Sequence, residues 1–396
     1  MNILIINAGS SSIKFKLISM PDEQVHCTGL IERIGFDEAV IKYSSGDINL
    51  KEVLPIPLHR DGFHKVSDML LHPKYGVIKN TDDIKVVAHR VVHGGNSFSD
   101  TTLIDKSVKD KIKELSVLAP LHNPHNLEGI VQAEQTFPKA QQISVFDTAF
   151  HQTMPLKAKK YALPNEMYTQ HGIQAYGFHG TSHKYVSEKA ITYLQKKPSK
   201  IISVHLGNGC SITAIQNGKS IDHSMGFAPA NGLIMGSRCG DIDHSILFYM
   251  VNNLGYSMEE VNKILTKKSG MQGLTGHSDL RDIESKAMAG NKNCIMALEM
   301  NAYRIKKYIG AYTAAMNGLD ALIFTAGIGE NSSMLRKLVC TEMEYLGLDL
   351  DHSKNELKSQ VMREVQITDS KVKILVIPTN EELEIAKQTF RLISKQ

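Results

Sequence analysis

Two stretches half a chain apart read as variants of one element, and that repeat constrains the fold more than any other feature. The first is Ile3-Leu4-Ile5-Ile6-Asn7-Ala8-Gly9-Ser10-Ser11-Ser12-Ile13-Lys14-Phe15: an apolar run, a turn of Gly and Ser, then an alternating run. It predicts two antiparallel strands joined by a hydroxyl-lined hairpin. Backbone N–H groups, hydroxyls and the Lys14 cation then face the same small space, an arrangement that suits a phosphoryl group. On this stretch alone, a Ser-rich surface hairpin is the alternative. In a chain of 396 residues, Ser211-Ile212-Thr213 follows Ser12-Ile13-Lys14 by about half the length, inside a second strand, Gly/Asn turn and strand over 201–215. Two copies of one hairpin suggest a duplicated domain with a ligand held between the copies.

A third Gly-rich turn, Ala326-Gly327-Ile328-Gly329-Glu330-Asn331, follows an apolar strand over 321–325 and precedes a helix over 334–345. Ligands bind in such strand-end crevices of α/β sheets. Periodicity predicts further strands over 25–34, 39–48, 86–95, 142–146 and 372–377. Helices are expected over 62–71, 107–117, 127–136, 184–194, 294–316 and 381–394. Asn-Pro makes regular helix doubtful over 121–126, which reads as a polar, site-facing loop or a surface loop. Thr181 or Ser182 is the expected cap of the 184–194 helix. Residues 256–289 read as helical with a Gly-rich break over 270–276.

Composition limits the partners. A net charge of +4, with no basic run, gives no footprint for nucleic acid. Five scattered Cys without a C-x-x-C pair read as reduced thiols, neither a disulfide frame nor a zinc site. The start lacks a charged leader and no run is long enough to span a bilayer, so a cytoplasmic protein is expected.

Several residues have two readings. Arg90, near a strand end, makes a structural salt bridge or meets a ligand. Asp147, just past a strand, caps a helix or serves the chemistry. His205 is a core histidine or reaches a phosphate. His179, flanked by Gly180, is presented to donate a hydrogen bond, with charge assistance when protonated.

The stretches LIINAGSSSIK, HRVVHGG, SVFDTAFH, YGFHGTSHKYV, HLGNGCSITAI, GSRCGDIDHS, TAGIGENS and IPTNEELEIA, in this order, resemble the acetate kinase family of the acetate and sugar kinase, chaperone ATPase and actin superfamily. The resemblance implies an α/β fold of two duplicated actin-like ATPase lobes, mixed central sheets flanked by helices, with the active site in the interdomain cleft. The lobes would be 1–149 with a C-terminal helix, 384–396, packed back, and 150–383 for nucleotide. It implies Arg90, Asp147, His179 and Arg238 as catalytic. Arg90, Val92, Leu121, Phe178 and Pro229 would bind the small acid. Ser12, Lys14, His205, Leu206, Gly207, Asn208, Gly209, Asp279, Leu280, Arg281, Gly327, Ile328, Gly329, Glu330 and Asn331 would bind ATP. Asn7 and Glu381 would hold Mg2+, with Mn2+ as the alternative ion, and the chain would form a homodimer. The chain departs from the family's usual form at Ala230-Asn231 and at His244, where proline is common.

The implied reaction is in-line transfer of the ATP γ-phosphoryl group to acetate, giving acetyl phosphate and ADP. A propionate or other short-chain acid kinase, a sugar kinase and a non-catalytic nucleotide switch are the alternatives. An aliphatic carboxylic acid has a pKa of about 4 to 5, so the nucleophile is already ionised at neutral pH. The obstacle is an anion attacking a polyanion, which fixed cations offset.

Overall fold

The computed structural model describes residues 1–196 and 198–395. It divides into two compact units, Met1–Phe150 with Asn380–Gln396, and His151–Thr379.

The first unit is built on β1 (Asn2–Gly9), β2 (Ser12–Ser19), β3 (Gln24–Glu32), β4 (Ala39–Ser45), β5 (Ile48–Leu54), β6 (Val86–Val91), β7 (Thr102–Leu103) and β8 (Gln141–Phe146). They form one sheet in the order β5-β4-β3-β2-β1-β6-β8-β7. β1 runs antiparallel to β2, with Gly9 opposite Ser12, and parallel to β6, which is parallel to β8. The unbroken apolar run Ile3 to Ile6 is at most 1% exposed, as a strand covered on both faces requires. A turn at Gly46, with φ +55°, splits the single strand expected over 39–48 and adds the edge strand β5. The last helix, Glu381–Ile393, packs against β1, β2, β6 and β8, its first turn capped by Asn380 Oδ1 accepting from Leu383 N at 3.1 Å.

One expectation here is overturned. The segment 121–126 is not a loop throughout, because a helix spans Asn123–Thr136 with Pro124 in its first turn. There a missing N–H costs no hydrogen bond, since first-turn donors have no helical partner. Nor are its two asparagines turned outward: both are buried. Asn126 Oδ1 accepts from Val92 N at 3.0 Å while its Nδ2 donates to Ala8 O at 2.7 Å. Asn123 Oδ1 accepts from His93 N at 3.1 Å. These buried amides bind together the backbone that leaves β1 and β6.

The second unit repeats the pattern with β9 (Lys200–Leu206), β10 (Cys210–Gln216), β11 (Lys219–His223), β12 (Ala321–Thr325), β13 (Arg363–Glu364) and β14 (Lys373–Val376). The order is β11-β10-β9-β12-β14-β13. Again the hairpin is antiparallel and its first strand is parallel to a third, here β12, which is parallel to β14. Strand for strand this matches β3-β2-β1-β6-β8-β7, so the duplication expected from two hairpins extends through both sheets.

Four local expectations change in this unit. The helix after His179 spans Gly180–Leu194, and its cap position is His179 itself, not Thr181 or Ser182. The Ala326–Asn331 turn is a short helix, entered through Ala326 at φ +64°. The next helix, Ser333–Cys340, stops short of Tyr345. The Gly-rich 270–276 break is likewise mostly a short helix, Gly270–Thr275. Among the described residues no helix is long and apolar enough to cross a membrane.

Candidate active site

In the first unit, the ends of β6 and β8 bring Arg90 and Asp147 together. Arg90 Nε donates to Asp147 Oδ1 at 3.0 Å and Nη2 to Oδ2 at 2.5 Å, a two-point grip. The Asp147 side chain is only 2% exposed. Its backbone N donates to Val91 O at 3.0 Å, which continues the sheet instead of opening a helix. Glu381, in the first turn of the last helix, lies 3.8 Å from Arg90 Nε. Burial alone would lower the Arg90 pKa, but Asp147 and Glu381 more than offset it, so the guanidinium stays charged.

Glu382 is committed elsewhere. It pairs with Lys14 and with Lys16 at 3.4 Å, and those lysines hold its carboxyl below the ordinary range despite burial. Asn7 stands opposite Lys14 in the β1–β2 pairing, and Ser12 is half-buried at the hairpin end. Val92 is 9% exposed; Leu121 is 64% exposed, just before the Asn123–Thr136 helix.

In the second unit a cavity of about 660 Å³ is lined by Gly207, Asn208, Asp279, Leu280, Arg281, Gly327, Ile328 and Asn331, all expected at a nucleotide, together with Ser278, Glu284 and Ser332. Its volume suits a drug-sized or nucleotide-sized ligand. Asp279 caps the Leu280–Met288 helix and grips Arg281, whose hydrogen bonds bring the carboxyl down to about 2. Burial raises the Glu284 pKa, and Ser332 Oγ donates to its carboxylate.

Leu206, Gly209, Gly329 and Glu330 do not line this cavity. Leu206 is buried in β9, and Glu330 Oε1 accepts from Thr379 N at 3.0 Å. The third Gly turn is fixed by a residue that sequence reading missed. Arg336, 1% exposed, donates from Nη1 to the carbonyls of Gly329 at 2.8 Å and Glu330 at 3.0 Å. Burial lowers its pKa to about 10. The available signal was its spacing: it falls beside Leu335 and Val339 on the buried face of a helix.

Next to Gly207 and Asn208, the chain brings His179 and Arg238 to one point. A Cβ added at Gly209 would stand 3.4 Å from His179 Nε2 and 3.8 Å from Arg238 Nη1. Arg238 donates from Nη1 to Pro229 O at 2.7 Å and has no carboxylate partner among the described residues. Burial lowers its pKa below the ordinary arginine value. A partly buried guanidinium without a carboxylate is what an incoming anion would neutralise.

His179 holds φ +56°, uncommon for a residue with a side chain, at the start of a 15-residue helix whose N-terminal dipole end favours negative charge. Its ring stacks on His205 at 4.3 Å, and its Nδ1 lies 2.9 Å from Ser211 Oγ. His205, 7% exposed, lies 2.8 Å from Ser182 Oγ through Nδ1. Phe178 is 2% exposed, with its N donating to His223 Nε2 at 3.1 Å.

Residues 2–387 match the Acetokinase family. The acetate kinase of Flavobacterium johnsoniae is 61% identical over 393 residues, covering 99% of this chain and 100% of that protein. Among solved structures, Porphyromonas gingivalis acetate kinase aligns with a TM-score of 0.94 at 43% identity over 99% of both chains. A propionate kinase from Francisella tularensis aligns with a TM-score of 0.92, also at 43% identity, over 98% of both chains.

Proposed function

This chain belongs to the acetokinase family, and from that premise we propose that it transfers the terminal phosphoryl group of ATP reversibly to acetate, giving acetyl phosphate and ADP. The observation that carries this reading is the Arg238 guanidinium, without a carboxylate partner among the described residues, beside His179 and over Gly209, where the Gly207-Asn208 edge of the nucleotide-sized cavity ends.

ATP lies in that cavity, with Ser12, Lys14, His205, Leu206, Gly209, Gly329 and Glu330 completing the nucleotide set. Arg238 and His179 hold the transferring phosphoryl oxygens. Arg90, kept charged and aimed by Asp147, binds the acetate carboxylate, and Val92, Leu121, Phe178 and Pro229 enclose its methyl group. The carboxylate attacks directly and in line, needing no strong base because it is already ionised. Asp147 orients Arg90 instead of accepting a proton.

Among the described residues no group of three His, Cys, Asp or Glu side chains could hold a metal ion alone. Mg2+ fits nonetheless, since it takes one or two protein oxygens plus phosphate and water. Glu381 is the carboxylate for it, because Asp147 is held by Arg90 and Glu382 by two lysines, and Asn7 adds an amide oxygen. The ion would supply positive charge on the phosphates. We also assign a homodimer, and a cytoplasmic setting in which the five unpaired cysteines stay reduced.

The experiment is to trap acyl phosphate as a hydroxamate with ATP and each of acetate, propionate and butyrate. Acetate should give the highest kcat/KM. Turnover of a polyol with no hydroxamate, or ATP hydrolysis indifferent to added acid, would overturn the proposal.

A further inference from the structure

Under the Gly180–Leu194 helix, the second unit's sheet presents polar side chains where a core face is ordinarily apolar. Strand alternation turns Ser203, His205, Ser211 and Thr213 to one side, and the register sets Ser211 opposite His205 and Thr213 opposite Ser203. Ser203, Ser211 and Thr213 are fully buried, and so is His183 on the helix above. Such groups are tolerated in a core only when each is hydrogen-bonded.

His183 joins two of them. Its Nδ1 lies 2.9 Å from Ser203 Oγ and its Nε2 2.7 Å from Ser211 Oγ. Ser211 Oγ is in turn 2.9 Å from His179 Nδ1. With neutral rings each link carries one proton, so the chain has a direction. Let Ser203 O–H donate to His183 Nδ1; His183 then donates from Nε2 to Ser211 Oγ, and Ser211 O–H donates to His179 Nδ1. The His179 proton is left on Nε2, on the ring edge that faces Gly209, where a Cβ would stand 3.4 Å from both Cε1 and Nε2. Run backwards, the chain leaves a bare lone pair there, which repels a phosphoryl oxygen.

Resting on the reading that His179 Nε2 donates to the transferring phosphoryl group, we propose that Ser203, His183 and Ser211 are positioning residues, a hydrogen-bonded chain that holds His179 in its Nε2–H tautomer. Burial keeps His183 neutral, its pKa far below the ordinary histidine value, so the middle link retains a single proton. His205, His223 and Arg238 also lie near the His179 ring.

The test uses the full chain with ring-15N histidine, ATP and magnesium chloride at neutral pH, with the His179 signals identified by their loss in His179→Gln. Nε2 should be of the protonated type and Nδ1 of the unprotonated type; the opposite pattern overturns the proposal, whatever the variants do. Ser211→Ala should lower kcat by about 10- to 100-fold while the ATP KM stays within about twofold, because the donor is mis-set and the nucleotide pocket is untouched. It should also replace the single tautomer by a mixture. Ser203→Ala, one link further away, should do the same to a smaller degree, and it serves if Ser211→Ala does not fold. A His179→Gln enzyme at wild-type kcat would overturn the donor reading and the proposal with it. An inactive His179→Gln beside a fully active Ser211→Ala would overturn the chain of positioning residues alone.

Discussion

Arg90 and Arg238 are one residue type in opposite electrostatic settings. Arg90 is gripped at two points by a buried carboxylate, whereas Arg238 is bonded to a backbone carbonyl and has no carboxylate among the described residues. On the proposed reading both substitutions to Ala should lower kcat/KM by about 100-fold or more, since each would remove a cation placed for transition-state charge. Their effects on folding should diverge. Arg90→Ala strands Asp147 in the core and should cost on the order of 3–5 kcal/mol in urea unfolding. Arg238→Ala removes a partly desolvated charge and should leave the urea midpoint level or raise it. Wild-type turnover in either variant would remove that arginine from the reaction. Glu381 and Glu382 divide similarly: Glu381→Ala should raise the magnesium concentration for half-maximal rate, while Glu382→Ala should loosen Lys14 and Lys16 without that shift. Equal magnesium titrations for Glu381→Ala and wild type would vacate the assignment.

Among elements, the hairpins were the most legible, because an apolar run, a Gly turn and an alternating run are local signals. Helix starts were less so. The Asn123–Thr136 helix begins with Asn-Pro-His-Asn, whose amides serve β1 and β6 backbone far away in sequence, and no local pattern announces that. The polar face of β9 and β10 was hidden for a related reason. Ser203 and Ser211 look like ordinary strand residues until the Gly180–Leu194 helix sets His183 against them. Close approach between elements can be tested at Gly236, where an added Cβ would stand 2.1 Å from Asn208 Oδ1. Gly236→Ala should push the Asn208 side chain from the cavity lining and raise the ATP KM several-fold, with a smaller change in thermal midpoint. Gly310→Ala, in the Lys292–Met316 helix with open space for its Cβ and outside the cavity lining, is the control, and equal KM values in the two would refute the steric argument.

At the scale of the whole molecule, burial has set several histidines against acid. His89, His93 and His151 have pKa values lowered to about 4, and His183 and His223 lie well below the ordinary 6.5. Below pH 6.5 the unfolded chain takes up protons that the folded chain refuses. Stability is therefore fully present above 6.5 and falls between 6.5 and about 4, by up to about 1.4 kcal/mol per pH unit for each such histidine. Urea midpoints at pH 7 and pH 5 check this, and a midpoint independent of pH would contradict it. The Ser245–Asn252 helix has no buried residue and exposes Phe248 at 64% and Tyr249 at 56%, which supports the homodimer assignment. If that assignment holds, Phe248→Glu should shift sedimentation towards monomer, and an unchanged profile would count against an interface on this helix.

By itself the sequence determined the elements and the site candidates whose signals are short in range: the paired hairpins, the strand-end Arg90 and Asp147, and the Gly-flanked His179. Tertiary structure decided which groups were left over after pairing. It committed Glu382 to lysines, gave Arg336 the third Gly turn to hold, bonded Arg238 to the Pro229 carbonyl and set Ser211 between two histidines. The physical reason is that a side chain's charge and proton depend on its neighbours in space, and in a duplicated α/β fold those neighbours come from strands and helices far apart along the chain.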